Sequence, residues 1–217
     1  MQNEKIQQIT EDVAEKILQQ QERPLLVAIT GDSGSGKNFY LEKMEALFNK
    51  RGVKYTFLDF DDFLIPRKER IPLKEKIYTN EPFAGKSHWE ILENWFYLDK
   101  FKNALSQLKA GKTAHYFPYS RETGDIDEKE KVVEPQDIVL VATSIIFDIF
   151  DYIVLIEVDQ EKIIQRKITR DSDLRTPQEV REMHENVQGY FWERNRPKNP
   201  NIIIDNNDTN NPFIAKE

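Results

Sequence analysis

The sequence of 217 residues contains no cysteine. This absence excludes a disulfide framework and any metal site built from thiolates. It fits a reducing compartment, and we therefore expect a cytoplasmic protein. Histidine is limited to three residues. His115 stands alone in its segment, and we interpret it as a structural or surface residue and not as a catalyst.

Long apolar runs are also missing. No run approaches the roughly 18 residues that a membrane-spanning helix needs, and the polar first residues lack the apolar centre of a secretory signal. The formal net charge is -7, and no basic stripe offsets it, which argues against a nucleic-acid-binding surface. We therefore expect neither a membrane nor a nucleic acid among the partners. The oligomeric state stays open, with a homo-oligomer among the alternatives.

The sequence does contain a regular alternation of apolar strands and amphipathic helices. Strand patterns are found at residues 25–30, 54–58, 114–117, 138–142, 152–158 and 202–204. Helical patterns are found at residues 4–20, 39–51, 88–98, 99–108, 161–170 and 176–192. Such alternation predicts one α/β domain over residues 1–217, with a mainly parallel five-stranded sheet and helices on both faces. Residues 1–22 carry an N-terminal helix that we expect to pack on the sheet, and the tail at 206–211 is expected to be loose.

A glycine-rich turn joins the first strand to the following helix. Its spacing is Gly31, four residues, Gly36 and Lys37, which is typical of a phosphate-binding loop. Glycines let successive backbone N–H groups point at phosphate oxygens, and the helix that follows presents its positive end to the same anion. An ordinary Gly/Ser turn would not explain the offset of the lysine. The candidate nucleotide-binding residues of this loop are Gly31, Asp32, Ser33, Gly34, Ser35, Gly36, Lys37 and Asn38.

The residue after the lysine departs from the strict pattern. That pattern has Ser or Thr there, whose hydroxyl holds Mg²⁺, whereas this sequence has Asn38. An amide oxygen can also bind Mg²⁺, but it is a weaker ligand on a longer arm. The loop therefore predicts nucleotide binding more firmly than it predicts metal binding.

Acidic residues follow the second strand. Asp59, Asp61 and Asp62 lie where that strand ends, and ligands of open α/β sheets bind at the carboxyl ends of strands. One interpretation is a solvated acidic turn. The other is a carboxylate that faces the phosphates as a general base or as a metal ligand, and Asp59 is a weak candidate for the metal role.

Four segments of the chain resemble the phosphoribulokinase/uridine kinase family of P-loop kinases. They are GDSGSGK from Gly31, DFDDFLIP from Asp59, FPYSRETG from Phe117 and VDQEKIIQRKITRD from Val158. The resemblance implies a P-loop NTPase-type three-layer sandwich that carries a small lid at residues 166–176 and an acceptor-side insert at residues 66–124. It also implies ATP as the phosphoryl donor, Mg²⁺ as the metal and a small hydroxyl compound as the acceptor, above all the 5′-hydroxyl of uridine or a similar nucleoside.

The same resemblance assigns roles to individual residues. Asp61 would take the proton of the attacking hydroxyl, and Lys37 would act on the outer phosphates. Tyr119, together with Phe63 and Arg121, would lie near the acceptor. Three arginines would face the ATP phosphates or belong to the lid: Arg166, Arg170 and Arg175. A plain solvated helix face is the alternative for Arg166 and Arg170, which are spaced four residues apart and therefore share one face.

Two departures from the family pattern concern the metal. Asn38 replaces the Mg²⁺-binding Ser or Thr, and Ala142 and Thr143 stand where many relatives carry a Glu-Gly pair. Mg²⁺ keeps several waters and needs few protein ligands, so turnover is compatible with both changes. The alternative is a nucleotide-binding relative with weak or no kinase activity. A GTPase switch is a weaker third interpretation, because the sequence lacks an Asn-Lys-x-Asp guanine motif.

Overall fold

The structure is a computed structural model that describes residues 2–71 and 93–216. Residues 88–92 of the expected helix over residues 88–98 lie outside the described residues, as does most of the segment 66–86. The described part, residues 93–98, does not continue as a helix, because residues 94–95 form a turn and Phe96 forms an isolated bridge with Leu64. In the part of the chain that is described, no helix is both long enough and apolar enough to cross a membrane.

One six-stranded sheet forms the centre of the fold, in the order β2-β5-β1-β6-β7-β8, and two further short strands, β3 and β4, pair with each other. The strands are β1 (Leu25–Thr30), β2 (Tyr55–Asp59), β3 (Ala114–Tyr116), β4 (Lys131–Val133), β5 (Ile138–Thr143), β6 (Tyr152–Glu157), β7 (Ile202–Asp205) and β8 (Phe213–Lys216). The first five strands in the sheet order are parallel, as predicted from their continuous apolar runs. The edge strand β8 is antiparallel to β7.

Helices cover the sheet and connect its strands. They are α1 (Gln2–Leu18), α2 (Lys37–Arg51), α3 (Leu98–Lys109), α4 (Gln160–Arg170), α5 (Pro177–Met183) and α6 (Gly189–Asn195). A 3-10 turn, Phe60–Phe63, follows β2, and a π turn, His184–Gln188, joins α5 to α6 without a break. Thr176 begins α5 with a capping box closed by Glu179, which explains why the sequence predicted a helix start there.

Two apolar cores lie on opposite faces of the sheet, as a three-layer α/β sandwich requires. On one face α1 and α2 pack on the strands, with Ile17 and Phe48 fully buried. On the other face α3 packs through Phe101 and Leu105, and Val187 of the π turn joins the same core. The alternation of strands and helices in the sequence therefore predicted the layers correctly.

The sheet has one strand more than predicted. The added strand is β8, which pairs antiparallel with β7 and whose side chains are mostly exposed. It follows the stretch 206–211 that was expected to be loose, in which the structure has turns and bends. An exposed antiparallel edge strand carries no buried apolar run, so sequence periodicity does not reveal it. The run 125–131, whose acidic and lysine-rich composition favours a solvated turn, ends in β4, which pairs with β3.

Candidate active site

Three neighbouring strands place the candidate site residues at one edge of the sheet. β2, β5 and β1 lie side by side and parallel, so their carboxyl ends meet. β1 runs into the glycine-rich loop, β2 ends at Asp59, and β5 ends at Thr143. This is the edge at which ligands of open α/β sheets bind.

The glycine-rich loop has the backbone geometry of an anion-binding turn. Gly36 has φ 103°, a left-handed conformation, and a Cβ there would lie 2.9 Å from Nδ2 of Asn206. At Gly31 a Cβ would lie 2.6 Å from the carbonyl oxygen of Ile156. Side chains are therefore excluded at both ends of the loop, which leaves its N–H groups and the start of α2 to face an anion.

Lys37 lies inside this loop. Its ammonium donates to the carbonyl oxygens of Gly31 at 2.7 Å and Asp32 at 2.9 Å. Burial lowers the pKa of Lys37 to about 8, while the carboxylates of Asp32, Asp61 and Asp59 act in the opposite direction. A buried cation with only carbonyl oxygens as direct acceptors is well placed to gain a bound anion.

Two of the three acids after β2 face the same space as Lys37. Asp59 and Asp61 line the cavity described below, and the carboxylate of Asp59 accepts the N–H of Asp61 at 2.9 Å. Burial, and secondarily the charge of Asp61, raises the pKa of Asp59 to about 6. Asp62 turns elsewhere and binds Tyr116 Oη at 2.9 Å and Lys131 Nζ at 2.8 Å.

A cavity of 530 Å³ joins the loop to the acids. Its lining includes Lys37 and Asn38 at the start of α2 and Asp59 and Asp61 at the end of β2. We call a set of aromatic and basic side chains in this lining the aromatic wall. They are Phe60, Arg70, Trp95, Phe96, Arg121, Phe191 and Trp192. One continuous space therefore brings together the loop, two carboxylates and the aromatic wall.

The aromatic wall is held in place by backbone pairing. Ile65 donates its N–H to the carbonyl of Trp95 at 2.9 Å, and the ring of Phe96 stacks on Phe60 with centroids 4.1 Å apart. From the sequence alone, aromatic residues such as Trp95 and Phe96 are predicted to belong to the core. The structure places both in the cavity wall, since they pack on the core with one side and line the cavity with the other.

The residues predicted to lie near the acceptor are only partly brought together. Arg121 lines the cavity and forms an ion pair with Asp61. Tyr119 lies behind the wall, where its ring packs against the guanidinium of Arg70 at 4.7 Å and its hydroxyl accepts a hydrogen bond from it. Phe63 is 2% exposed and packs on Phe101 and Tyr116 in the core. The sequence did not single out Arg70.

The three arginines that were predicted to face the ATP phosphates or to belong to the lid lie in different surroundings. Arg170 lines the cavity and forms an ion pair with Asp171 at 2.6 Å. Arg166 lies beside the loop, where it donates to the carbonyls of Gly34 and Ser35 at 3.4 Å. Arg175 pairs with Asp171 at 3.7 Å and is not among the residues that line the cavity.

A second depression, of 460 Å³, lies on the far side of Arg166. It is lined by Lys162, Gln165, Arg166, Asn207, Asp208 and Thr209. Asn206 fixes this region to the loop, because its Nδ2 donates to the carbonyl of Ser35 at 2.7 Å and its own carbonyl accepts from Arg166 at 2.5 Å.

Sequence reasoning missed a buried polar cluster behind the loop. Lys167 is 2% exposed, and its ammonium contacts His184 Nδ1 at 2.8 Å and Gln188 Oε1 at 2.9 Å. Asp32 lies 3.6 Å from the same ammonium. The members are far apart in the sequence, and Lys167 is one of several basic residues on α4. Helical spacing does place Lys167 on the same face as the buried Ile163 and Ile164, but the sequence does not show which polar groups it meets there.

The residues at the strand edge fit a magnesium ion only in part. Among the described residues, no group of three or more His, Cys, Asp or Glu side chains could hold a metal. Asn38 and Asp59 nevertheless both line the cavity beside Lys37. The raised pKa of Asp59, caused by burial and by Asp61, indicates a carboxylate that neighbouring cations do not fully compensate. A divalent cation would supply that charge, and Mg²⁺ needs few protein ligands.

Comparison with known proteins agrees with this geometry. A family model described as "Phosphoribulokinase / Uridine kinase family" matches residues 26–188. A uridine kinase from Leuconostoc citreum (strain KM20) is 23% identical over 159 residues, which cover 70% of this chain and 71% of that protein.

Solved structures show the same fold. A possible uridine kinase from Bacillus stearothermophilus superimposes with a TM-score of 0.61 at 18% identity, covering 89% of this chain and 96% of that one. D-glycerate 3-kinase from Cryptococcus neoformans has a TM-score of 0.66 at 14% identity, covering 95% and 99%. Because the family match extends from β1 to the π turn, the chain belongs to the phosphoribulokinase/uridine kinase family.

Proposed function

We propose that this protein transfers the terminal phosphoryl group of ATP to a hydroxyl of a small acceptor, with uridine or a similar nucleoside as the first candidate. The observation that carries the proposal is that one cavity is lined by Lys37, by Asp61 and by the aromatic wall. Phosphoryl transfer requires the two reactants in line and cations around the transferred group. A location in the cytoplasm, where ATP is available, is part of the proposal.

The donor would bind at the loop. The N–H groups of the loop and the ammonium of Lys37 would hold the outer phosphates, and Arg170 lies on the same cavity wall to balance charge in the transition state. The nucleoside part of ATP would extend past Arg166 into the second depression, which adjoins the loop through Asn206. Mg²⁺, held by Asn38 and Asp59, would neutralise phosphate oxygens. Arg175, close to Asp171, would belong to the lid.

The acceptor would bind between Asp61 and the aromatic wall. Asp61 would orient the hydroxyl and accept its proton, while Arg121 holds the carboxylate in place through their ion pair. The rings of Phe96 and Trp95 offer flat surfaces on which a base can stack. Tyr119 would act indirectly, by fixing Arg70. The names of the relatives, uridine kinase and D-glycerate 3-kinase, show that the acceptor has to be found by assay.

The experiment is ADP release by the purified protein with MgATP and a panel of acceptors: uridine, other nucleosides, D-glycerate, pantothenate and sugar phosphates. Stimulation by a nucleoside above the ATPase background is the expected result. If ATP binds to the folded protein and no acceptor stimulates release, the proposed transfer is wrong. The protein would then be a nucleotide-binding relative without kinase activity, an alternative that family membership does not favour.

A further inference from the structure

The buried cluster behind the loop joins three elements at one cation. The ammonium of Lys167 on α4 reaches Asp32 of the loop and both His184 and Gln188 of the π turn. The side chain of Lys167 is 2% exposed and that of His184 is 1% exposed. A buried charge of this kind is costly unless it is paired and hydrogen-bonded, and here all its partners come from other elements.

We infer that Lys167 is a positioning residue that couples the phosphate loop to the acceptor side of the cavity. The inference rests on the proposed function in one respect, which is that the cavity wall at α6 is taken to be the acceptor side. Nucleotide binding at the loop would shift the π turn and α6, and an acceptor held by α6 would in turn tighten nucleotide binding, since such coupling is reciprocal.

On the loop side, the cluster fixes the first turn. The carboxylate of Asp32 accepts the N–H of Ser33 at 2.5 Å, and its carbonyl accepts from Lys37 at 2.9 Å. The stem of Lys167 packs beneath Gly34, where an added Cβ would lie 3.5 Å from its Cγ. A movement of Lys167 would therefore displace both the carboxylate of Asp32 and the loop backbone at Gly34.

On the acceptor side, the cluster fixes the cavity wall. Gln188 ends the π turn and lines the cavity, as do Phe191 and Trp192 on the next turn. Short π segments often occur at functional sites. Because Lys167 holds the side-chain oxygen of Gln188 at 2.9 Å, the position of this wall depends on the same cation as the loop.

The protonation states of the cluster suit this role. Burial, and then the charge of Lys167, lowers the pKa of His184 to about 3, so the ring is neutral and accepts from Lys167 through Nδ1. Its Nε2 then carries the proton and lies 3.8 Å from Asp32. Burial lowers the pKa of Lys167 to about 8, Asp32 acts in the opposite direction, and the charges of Arg170 and Lys37 lower it further. Asp171 also interacts with this ammonium. An anion near Lys37 would favour the ammonium form of Lys167 and so strengthen its hold on Gln188.

Hydrogen exchange of residues 184–192, measured with and without ATP, tests the coupling without any acceptor. We expect ATP to slow exchange in this segment of the wild-type protein. In Lys167→Met the ATP-dependent protection should disappear, and the Kd for ATP should rise about tenfold because Asp32 loses its buried partner. Lys167→Arg keeps the charge and should retain part of the protection. Lys50→Met, at an exposed position on α2, is the matched control and should behave as the wild type.

A second variant covers the case in which Lys167→Met does not fold. Gln188→Leu removes one of the two contacts between Lys167 and the π turn, and it leaves both the contact with His184 and the pairing with Asp32. ATP should therefore still bind, while the protection of residues 188–192 falls below that of the wild type. Protection of these residues that stays at the wild-type level in Gln188→Leu or Lys167→Met, or that is absent from wild-type protein with bound ATP, would overturn the inference. Wild-type protein that binds no ATP would overturn it together with the proposed function. Protection without phosphoryl transfer to any acceptor would overturn the proposed function alone.

Discussion

Asp59 and Ala142 are register partners on the adjacent parallel strands β2 and β5. Both residues line the cavity beside Asn38. The family resemblance implies a glutamate at the position of Ala142. In this chain the nearest carboxylate at the same level of the sheet belongs to Asp59, one strand away. Asp59 is therefore placed to supply the negative charge that position 142 lacks in this chain.

A carboxylate introduced at position 142 on β5 should therefore compensate for removal of the Asp59 carboxylate on β2. We expect Asp59→Ala to weaken the Mg²⁺-dependent part of ADP binding at least about tenfold. The double variant, Asp59→Ala with Ala142→Glu, should recover most of it. Calorimetric titration of ADP in Mg²⁺ and in EDTA gives this difference directly. If the double variant binds no better than the single one, Asp59 does not act as the metal-facing carboxylate.

The charge of Asp59 should also cost stability. Burial raises its pKa to about 6 from an ordinary value of 3.8, so the folded state holds the proton more tightly than the unfolded chain. The destabilisation is absent below about pH 4, grows as the pH rises to about 6 and is complete above that. Asp59→Asn should accordingly raise the free energy of unfolding by about 3 kcal/mol at pH 8.

Urea unfolding of Asp59→Asn and of the wild-type protein, each at pH 4 and at pH 8, measures this change in stability. The two proteins should unfold at similar urea concentrations at pH 4, with the variant more stable at pH 8. Equal stability at pH 8 would mean that the carboxylate is better compensated than its surroundings indicate. A gain in stability with a loss of Mg²⁺ binding would be typical of a functional carboxylate.

The two adjacent acids Asp61 and Asp62 should have opposite effects when changed to amides. Asp61 lines the cavity, so Asp61→Asn should lower kcat about 10²-fold or more and leave the KM for ATP nearly unchanged. Asp62 binds Tyr116 and Lys131 outside the cavity. Asp62→Asn should therefore cost about 1 kcal/mol of stability and leave kcat close to that of the wild type.

Steady-state kinetics with the best acceptor of the panel, together with thermal unfolding of both variants, separates the two cases. The matched pair controls for a general effect of removing negative charge next to β2. A kcat for Asp61→Asn equal to that of the wild type would remove Asp61 as the base. A loss of kcat in Asp62→Asn at unchanged stability would transfer the role to its neighbour.

The sequence predicted those parts of the site that depend on local patterns. The strand Leu25–Thr30, the glycine turn and Lys37 follow each other directly, so spacing alone indicates their arrangement. Which of the three acids faces the cavity depends on the 3-10 turn after β2. The sequence selected Asp61, and the structure brings Asp61 and Asp59 into the cavity.

Contacts between segments that are far apart in the chain could not be predicted from the sequence. Lys167 and His184 belong to different helices, and Asp32 lies on the loop, so nothing in the local pattern shows that they meet. Phe63 was expected near the acceptor on the family resemblance, but the direction of a side chain at the end of a 3-10 turn depends on tertiary packing. It packs against Phe101 and Tyr116. Trp95 and Phe96 were assigned by apolar character alone, which does not distinguish the inside of a core from the wall of a cavity.

Lys37 should be required for nucleotide binding and not for folding. Its ammonium contacts only the carbonyls of Gly31 and Asp32 among the hydrogen-bond acceptors of the described chain, and burial lowers its pKa to about 8. Lys37→Ala therefore removes a cation that the folded protein holds at a cost, so the variant should unfold within a few degrees of the wild type. The Kd for MgATP should rise about 10²-fold or more, because a buried charge–phosphate contact is lost.

Lys43→Ala provides the control on the same helix. Lys43 is exposed and packs over the ring of Phe39 at 5.5 Å, so its removal takes away one positive charge from α2 without entering the loop. The Kd of this variant for MgATP should stay within about twofold of the wild type, since an exposed charge outside the loop is screened by salt. Should Lys37→Ala bind MgATP as tightly as Lys43→Ala while unfolding at a much lower temperature, Lys37 would be a structural residue of the loop, and the placement of the phosphates beside it would be wrong.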